Sequence, residues 1–279
     1  MPSEPIPYDR FLPAFKASLA AGTAILEVYN MEDQQVSLKE DHSPLTLADR
    51  RADDIIKKTL EPTGIPVFTE ESAGVPYEIR KTWKRYWLVD PLDGTKEFIH
   101  HNHEFTVNIA LIENRHPVFG IIYLPVYKQL YFAMKGTGAY RIDELTAEDF
   151  HAGDPALATA GAKRLPDRSH EKTRIAVSRS HLSPETEAFI REKLGDQPYE
   201  LVSAGSSLKF CRIAEGEADL YPRLGPTMEW DIAAGTVIVT EAGGEVLQYD
   251  GKPLLFNREN LLNPWFVVMS GKMSERINL

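Results

Sequence analysis

Two aspartates stand three residues apart in Asp90-Pro91-Leu92-Asp93-Gly94-Thr95, and their surroundings turn a common pair into a candidate site. Asp90 follows the apolar run Trp87-Leu88-Val89, which places it at the mouth of a buried strand. Pro91 stiffens the backbone and Gly94 permits a tight turn, so the chain can fold back and aim both carboxylates at one spot. Two carboxylates that close cannot both stay ionised unaided. Either one is protonated or a cation lies between them. Oxygen-only ligands favour a hard cation such as Mg²⁺ or Ca²⁺. The turn has no His or Cys, which disfavours zinc. Glu70 and Glu71 end a second apolar run, Val67-Phe68-Thr69, in the same manner. Asp231 lies between Trp230 and Ile232-Ala233-Ala234, in the first turn of an expected helix, where the dipole favours an anion. Standing alone it would read as a plain helix cap.

These acids need elements to hold them. Phe11, Leu12, Phe15, Leu19, Ile25 and Leu26 recur with helical spacing, which predicts an amphipathic helix over residues 8–30. A second helix is expected over 47–60, closed by Pro62 and Gly64. Short buried strands are expected at 66–69 and 86–89. The β-rich runs 105–112 and 118–124, joined by 113–117, read as a hairpin, and 130–133 and 139–142 extend it. The first half is therefore expected to pack helices on a mostly antiparallel sheet. Residues 143–172 are polar and read as a connection, with a domain boundary that divides the chain into 1–172 and 173–279. Beyond it, strands at 174–178, 199–203, 218–221, 245–248 and 265–269 alternate with helices at 184–194, 206–215 and 230–241, an α/β pattern.

Composition narrows the function. The 279 residues are 43% hydrophobic and 26% charged, ordinary for a globular protein. Their 41 acids and 31 bases give a net charge of −10, which argues against non-specific nucleic-acid binding. A phosphorylated substrate stays open, because bound cations invert the sign of a local site. Cys211 is the one cysteine, so no intramolecular disulfide forms, as suits a reducing compartment. The N-terminus lacks the basic start and apolar core of a signal peptide, and no apolar run is long enough to span a bilayer. A soluble, cytoplasmic protein is expected. Peripheral contact with the inner membrane and the oligomeric state stay open.

Glu70-Glu71, the six-residue segment from Asp90 to Thr95, and Trp230-Asp231 with Gly235 and Gly243-Gly244 resemble, in order and spacing, the inositol monophosphatase superfamily. The resemblance runs from about residue 21 to 270. It implies a layered α/β/α/β/α sandwich with a metal cluster between its halves. It also implies that Glu70, Asp90 and the Leu92 carbonyl hold one Mg²⁺, that Asp90, Asp93 and Asp231 hold a second, and that a third, weaker ion leans on Glu70. Asp49, in Pro44-Leu45-Thr46-Leu47-Ala48-Asp49, and Thr95 match the pair that acts on the nucleophilic water. Residue types alone would leave Asp49 a surface acid beside Arg50 and Arg51.

Lys96-Glu97-Phe98, Ser178-Arg179-Ser180-His181, and Gly205-Ser206-Ser207-Leu208-Lys209 with Arg223 are similar to the bisphosphate nucleotidase branch of that superfamily. A Ser and a Lys three apart at a helix start suit a phosphate. The implied partner is a small phosphorylated nucleotide, adenosine 3′,5′-bisphosphate, cleaved to AMP and phosphate. Gly94, Thr95, His181, Ser206, Lys209, Arg223 and Asp231 would contact it, with the choice between Ser206 and Ser207 open. Turnover of 3′-phosphoadenosine 5′-phosphosulfate and inhibition by lithium belong to the same expectation. Two rivals stand beside it. One is an inositol monophosphatase or sugar bisphosphatase of the same superfamily. The other is a catalytically silent sensor of metal or phosphometabolite, which Asp49 and Thr95 together disfavour.

Overall fold

The computed structural model describes residues 11–34, 36–38, 44–72, 74–145, 161–178, 183–277 and 279. His181 and its loop neighbours Arg179 and Ser180 lie outside them. In chain order, α1 (Leu12–Tyr29) leads through the two-residue strands β1 (Ser37–Leu38) and β2 (Pro44–Leu45) to α2 (Leu47–Leu60). A sheet of seven strands follows: β3 (Val67–Thr69), β4 (Arg85–Asp93), β5 (Thr106–Glu113), β6 (His116–Leu124), β7 (Gln129–Met134), β8 (Gly138–Ile142) and β9 (Lys163–Arg164), side by side in that order. Helix α3 (Tyr77–Arg80) precedes β4, and α4 (Thr95–Ile99) follows it. β3 runs parallel to β4 and every other neighbour is antiparallel. The second sheet, of five strands, is ordered β11 (Tyr199–Ser203), β10 (Thr173–Val177), β12 (Leu220–Arg223), β14 (Phe266–Met269), β13 (Glu245–Gln248). Around it run α5 (Pro184–Leu194), α6 (Leu208–Glu215), α7 (Glu229–Glu241) and α8 (Gly271–Ser274).

Three apolar cores stack these elements into the expected α/β/α/β/α order. In the first, Phe15 and Ile25 of α1 and Ala52 and Ile56 of α2 meet Trp87 and Val89 of β4. The neighbouring residues Tyr86 and Leu88 face the opposite way, into a second core with Phe210 of α6, Ile232 and Val237 of α7, and Phe266 and Val268 of β14. Successive strand residues alternate faces, and both faces are covered, so β4 reads as a continuous apolar run. The third core packs Phe189 and Ile190 of α5 and Met273 of α8 on the far side of the second sheet. Helices α6 and α7 thus lie between the sheets, with α7 against β4, β5 and β6. No helix among the described residues is long and apolar enough to cross a membrane.

Several expected boundaries moved. The hairpin loop contracts to Asn114 and Arg115, both with positive φ (49° and 67°), the backbone a two-residue loop needs to match strand twist. Residues 163–164, expected in a connection, add an edge strand beside β8. Helix α6 starts at Leu208 rather than Ser206, because Ser206 sits in the left-handed region at φ 48°. The most consequential correction concerns Asp90 to Asp93. The expected turn is strand, carried on by pairing of Asp90 with Asn108 and of Asp93 with Thr106, with a register shift between the two pairs. Such a bulge re-aims side chains at the end of a strand. The tight turn expected at Gly94 is there (φ 91°), directly after the strand ends at Asp93.

Candidate active site

The bulged end of β4 lies where four other segment ends converge. β3 runs parallel to β4 with Thr69 opposite Val89, so the next residues, Glu70 and Asp90, emerge side by side. Asp90 is 1% exposed, and its Oδ1 accepts the Leu92 N–H at 3.1 Å. Asp231 is the third residue of α7, where its Oδ2 caps the Met228 N–H at 2.8 Å. From the start of α6, Asp93 Oδ2 receives the Ser206 hydroxyl (2.6 Å), the Ser207 N–H (2.7 Å) and the Ser207 hydroxyl (2.8 Å). Asn108 Nδ2 stands 3.5 Å from the same oxygen. No donor among the described residues reaches Asp93 Oδ1.

Crowding of like charge governs the electrostatics. Burial pushes the Asp90 carboxyl well above the usual carboxylate range, and the negative charges of Glu70, Asp93 and Asp231 push it further. Burial also raises Asp231, with Asp93 and Glu70 adding to it and the Met228 N–H opposing. Among the described residues, no three His, Cys, Asp or Glu side chains already stand as a metal cage. The donor chemistry nonetheless fits Mg²⁺: four neighbouring acids, all oxygen donors, whose negative charges raise Asp90 and Asp231 and stand where a divalent cation would relieve the repulsion.

Thr95, the first residue of α4, donates its hydroxyl to Asp49 Oδ1 at 3.3 Å and lies 3.5 Å from the Leu92 carbonyl. Asp49 Oδ2 accepts both the N–H and the hydroxyl of Thr46 (2.7 and 2.6 Å), the reciprocal cap that starts α2. Asp49 is 2% exposed, so the surface position that its residue type suggested is corrected. A cap that fixes one carboxylate oxygen leaves the other aimed at Thr95.

Beside these groups opens a cleft of about 490 Å³, lined by Asp93, Gly94, Ser206, Lys209, Arg223 and Asp231 among others. A Cβ on Gly94 would meet Ser206 Cβ at 3.2 Å and the Glu104 carbonyl at 3.3 Å, so glycine both makes the turn and admits the second half's loop. Lys209 is buried rather than solvated. It donates to the carbonyls of Ser206 (2.8 Å) and Ala204 (3.2 Å), lies 5.4 Å from the Tyr221 ring centre, and is pushed by burial down to about 8. Arg223 donates to the Ser178 hydroxyl at 3.3 Å and the Pro226 carbonyl at 2.9 Å, while its buried Nε has no partner among the described residues.

The structure therefore gathers Asp49, Glu70, Asp90, Leu92, Asp93, Thr95 and Asp231 in one place, with Gly94, Ser206, Lys209 and Arg223 around the adjoining cleft. Sequence reasoning missed Thr106, Asn108 and Glu104. The Glu104 carboxylate accepts the Gly205 N–H at 2.7 Å and so ties down the loop before α6. The usable signal for the other two was a pair of polar residues two apart at the start of a strand that is apolar from there to Ile112.

The inositol monophosphatase family matches residues 9–276. Over 253 residues the chain is 44% identical to the 3′(2′),5′-bisphosphate nucleotidase CysQ of Salmonella typhimurium strain LT2, a match that covers 89% of this chain and 94% of that protein. It is 42% identical, with the same coverage, to the Escherichia coli K12 protein of the same name. A crystal structure of CysQ from Bacteroides thetaiotaomicron, described as a bacterial member of the inositol monophosphatase family, superposes with a TM-score of 0.81 at 45% identity, covering 94% of this chain and 97% of that one. The chain belongs to the inositol monophosphatase family.

Proposed function

We propose that this member of the inositol monophosphatase family hydrolyses the 3′-phosphate of adenosine 3′,5′-bisphosphate to AMP and phosphate with the help of Mg²⁺. The relatives named 3′(2′),5′-bisphosphate nucleotidase support that substrate class. The observation that carries the proposal is the Thr95–Asp49 hydrogen bond set beside four mutually repelling acids, at the edge of a cleft that Lys209 and Arg223 also line. Such a cleft suits a substrate with two phosphates, one at the acids and one at the basic side chains.

Glu70, Asp90, the Leu92 carbonyl, Asp93 and Asp231 would hold two or three Mg²⁺. Bound there, the cations supply positive charge to the phosphoryl oxygens. The chain's own part is positioning and proton transfer. Thr95, held by Asp49, accepts a proton from the attacking water as its own passes to Asp49 Oδ1. The Thr46 cap holds Asp49 with Oδ1 on the Thr95 hydroxyl, in position to take that proton. Arg223, whose Nε has no partner among the described residues, would face the second phosphate, and Lys209 and Ser206 shape the same wall. His181 enters this proposal from sequence alone. The same site would accept 3′-phosphoadenosine 5′-phosphosulfate, and lithium would inhibit it by displacing a cation of higher charge.

The test is phosphate release from adenosine 3′,5′-bisphosphate, 3′-phosphoadenosine 5′-phosphosulfate and inositol 1-phosphate, each with Mg²⁺, with EDTA and with added lithium. The expected result is a strong preference for the two nucleotides, abolished by EDTA. A preference for inositol 1-phosphate would overturn the substrate assignment, and turnover in EDTA would overturn the metal.

A further inference from the structure

Asp93 has two carboxylate oxygens and can serve a cation with one of them while the protein holds the other. A circuit of hydrogen-bonding side chains around it makes that choice. Thr106 and Asn108 project from the same face of β5, opposite Asp93 and Asp90 in the ladder. Both are buried, Asn108 to 1% exposure, and so is Ser207 across the seam between the halves. Asn108 Nδ2 donates to the Ser207 hydroxyl at 2.9 Å, and Asn108 Oδ1 accepts the Thr106 hydroxyl at 3.0 Å. The Thr106 oxygen also lies 2.7 Å from the Ser206 hydroxyl. With the Thr106 proton spent on Asn108, the single Ser206 proton goes either to Thr106 or to Asp93 Oδ2, while the Ser207 N–H and hydroxyl reach the same Oδ2 at 2.7 and 2.8 Å.

Counting protons shows what the circuit does. The carboxamide orientation follows from its partners, since Thr106 needs an acceptor and the Ser207 oxygen is met by the N–H side. With an N–H arriving at its oxygen, Ser207 must send its single proton onward, to Asp93 Oδ2 at 2.8 Å or to the Asp231 carbonyl at 2.7 Å. Either way Ser207 is pinned between two of the acids. Packing alone does not call for an asparagine here. A buried amide is costly unless it is hydrogen-bonded, and an apolar residue would fill the strand without that demand.

We infer that Asn108, seconded by Thr106, is a positioning residue: it commits Asp93 Oδ2 to the protein, turns Oδ1 toward the cation, and so sets the affinity of the site for Mg²⁺. The inference rests on Asp93 being a metal ligand, as proposed above. Groups that orient a ligand from behind typically carry about 10–100-fold in metal affinity.

Isothermal titration of Mg²⁺ into metal-stripped wild type, Asn108→Leu, Thr106→Val and Thr106→Ser tests it. Asn108→Leu is expected to bind Mg²⁺ about 10–100-fold more weakly. Thr106→Val should weaken binding by less, and Thr106→Ser, which keeps the hydroxyl, should bind like wild type. At saturating Mg²⁺ the KM of Asn108→Leu should return to the wild-type value, a split that general destabilisation would not produce. A folded Asn108→Leu that binds Mg²⁺ as tightly as wild type overturns the inference. Should that variant fail to fold, Thr106→Val breaks the same circuit without changing shape and decides on the same criterion. Wild type that binds Mg²⁺ while neither variant shifts sinks this inference alone. Folded wild type that takes up no Mg²⁺ sinks the metal-site reading, and this inference with it.

Discussion

Asp90 is buried with three other acids around it, so it gains more from a cation than any exposed carboxylate would. Asp90→Asn keeps the shape and removes the charge. A fall in kcat of about 10²–10³-fold is expected, the loss typical when one preorganised electrostatic group is removed. Its circular dichroism should stay native, and near-normal turnover would contradict the assigned role. Asp49→Asn and Thr95→Ala should each cost about 10²–10⁴-fold, the range of general acid–base catalysis, and the double variant should be little worse than either because the pair acts as a unit.

Lys209 gives a pH test. The folded protein releases its proton near pH 8, whereas its ordinary value is 10.5. Between those values the unfolded chain binds the proton and the folded one does not, so wild type gains stability as pH rises through that window. Below pH 8 both states are charged and the full cost of burial applies. Urea melts at pH 7.5, 9 and 10 should show wild type gaining on Lys209→Met, and parallel curves would contradict the burial argument. At this scale residue type and spacing showed the Asp90–Asp93 pair plainly. They did not show Asp49 buried against Thr95, because those two are 46 positions apart. Nor did they show that Lys209 spends its hydrogen bonds on carbonyls.

Among the elements, α7 is the one whose placement the site depends on most, since it carries Asp231. It lies on β6 at Gly120, where an added Cβ would come within 2.6 Å of Val237 Cγ1 and 2.8 Å of the Ala234 backbone. Gly120→Ala therefore has to push the helix off the sheet. A cost of about 1–3 kcal/mol is expected from overpacking, together with a raised Mg²⁺ requirement. An unchanged denaturation midpoint with an unchanged Mg²⁺ requirement would show that the contact relaxes freely. The elements themselves were largely legible. The apolar spacing placed α2 at 47–60, α5 at 184–194 and β11 at 199–203, where they are found. The errors fell where tertiary pairing overrides local signals. Asp90 to Asp93 read as part of the turn, yet β5 offers Asn108 and Thr106 as partners and carries the strand, through a register shift, to Asp93. Ser206 reads as a helix start, yet its left-handed backbone is kept by carbonyl bonds to Lys209 and by Glu104 below.

For the molecule as a whole, the acids are a standing cost that a cation removes. Raised carboxyls in the folded state bind protons that the unfolded chain has already released. Without metal, stability is therefore lost as pH climbs from the ordinary carboxylate value of 3.8 toward the raised values of Asp90 and Asp231. Mg²⁺ takes the place of those protons and stabilises the fold by binding it preferentially. Melting temperatures with Mg²⁺ and with EDTA should differ more at pH 8 than at pH 5, and a gap that is absent or independent of pH would contradict this.

The most direct measurement is anomalous scattering from crystals soaked in Mn²⁺, a stand-in for Mg²⁺ that scatters anomalously and has the same preference for oxygen. Strong peaks are expected, ringed by Glu70, Asp90, Asp93 and Asp231, next to the Thr95–Asp49 pair. Peaks elsewhere, or none at that cluster in crystals of active protein, would contradict the metal site.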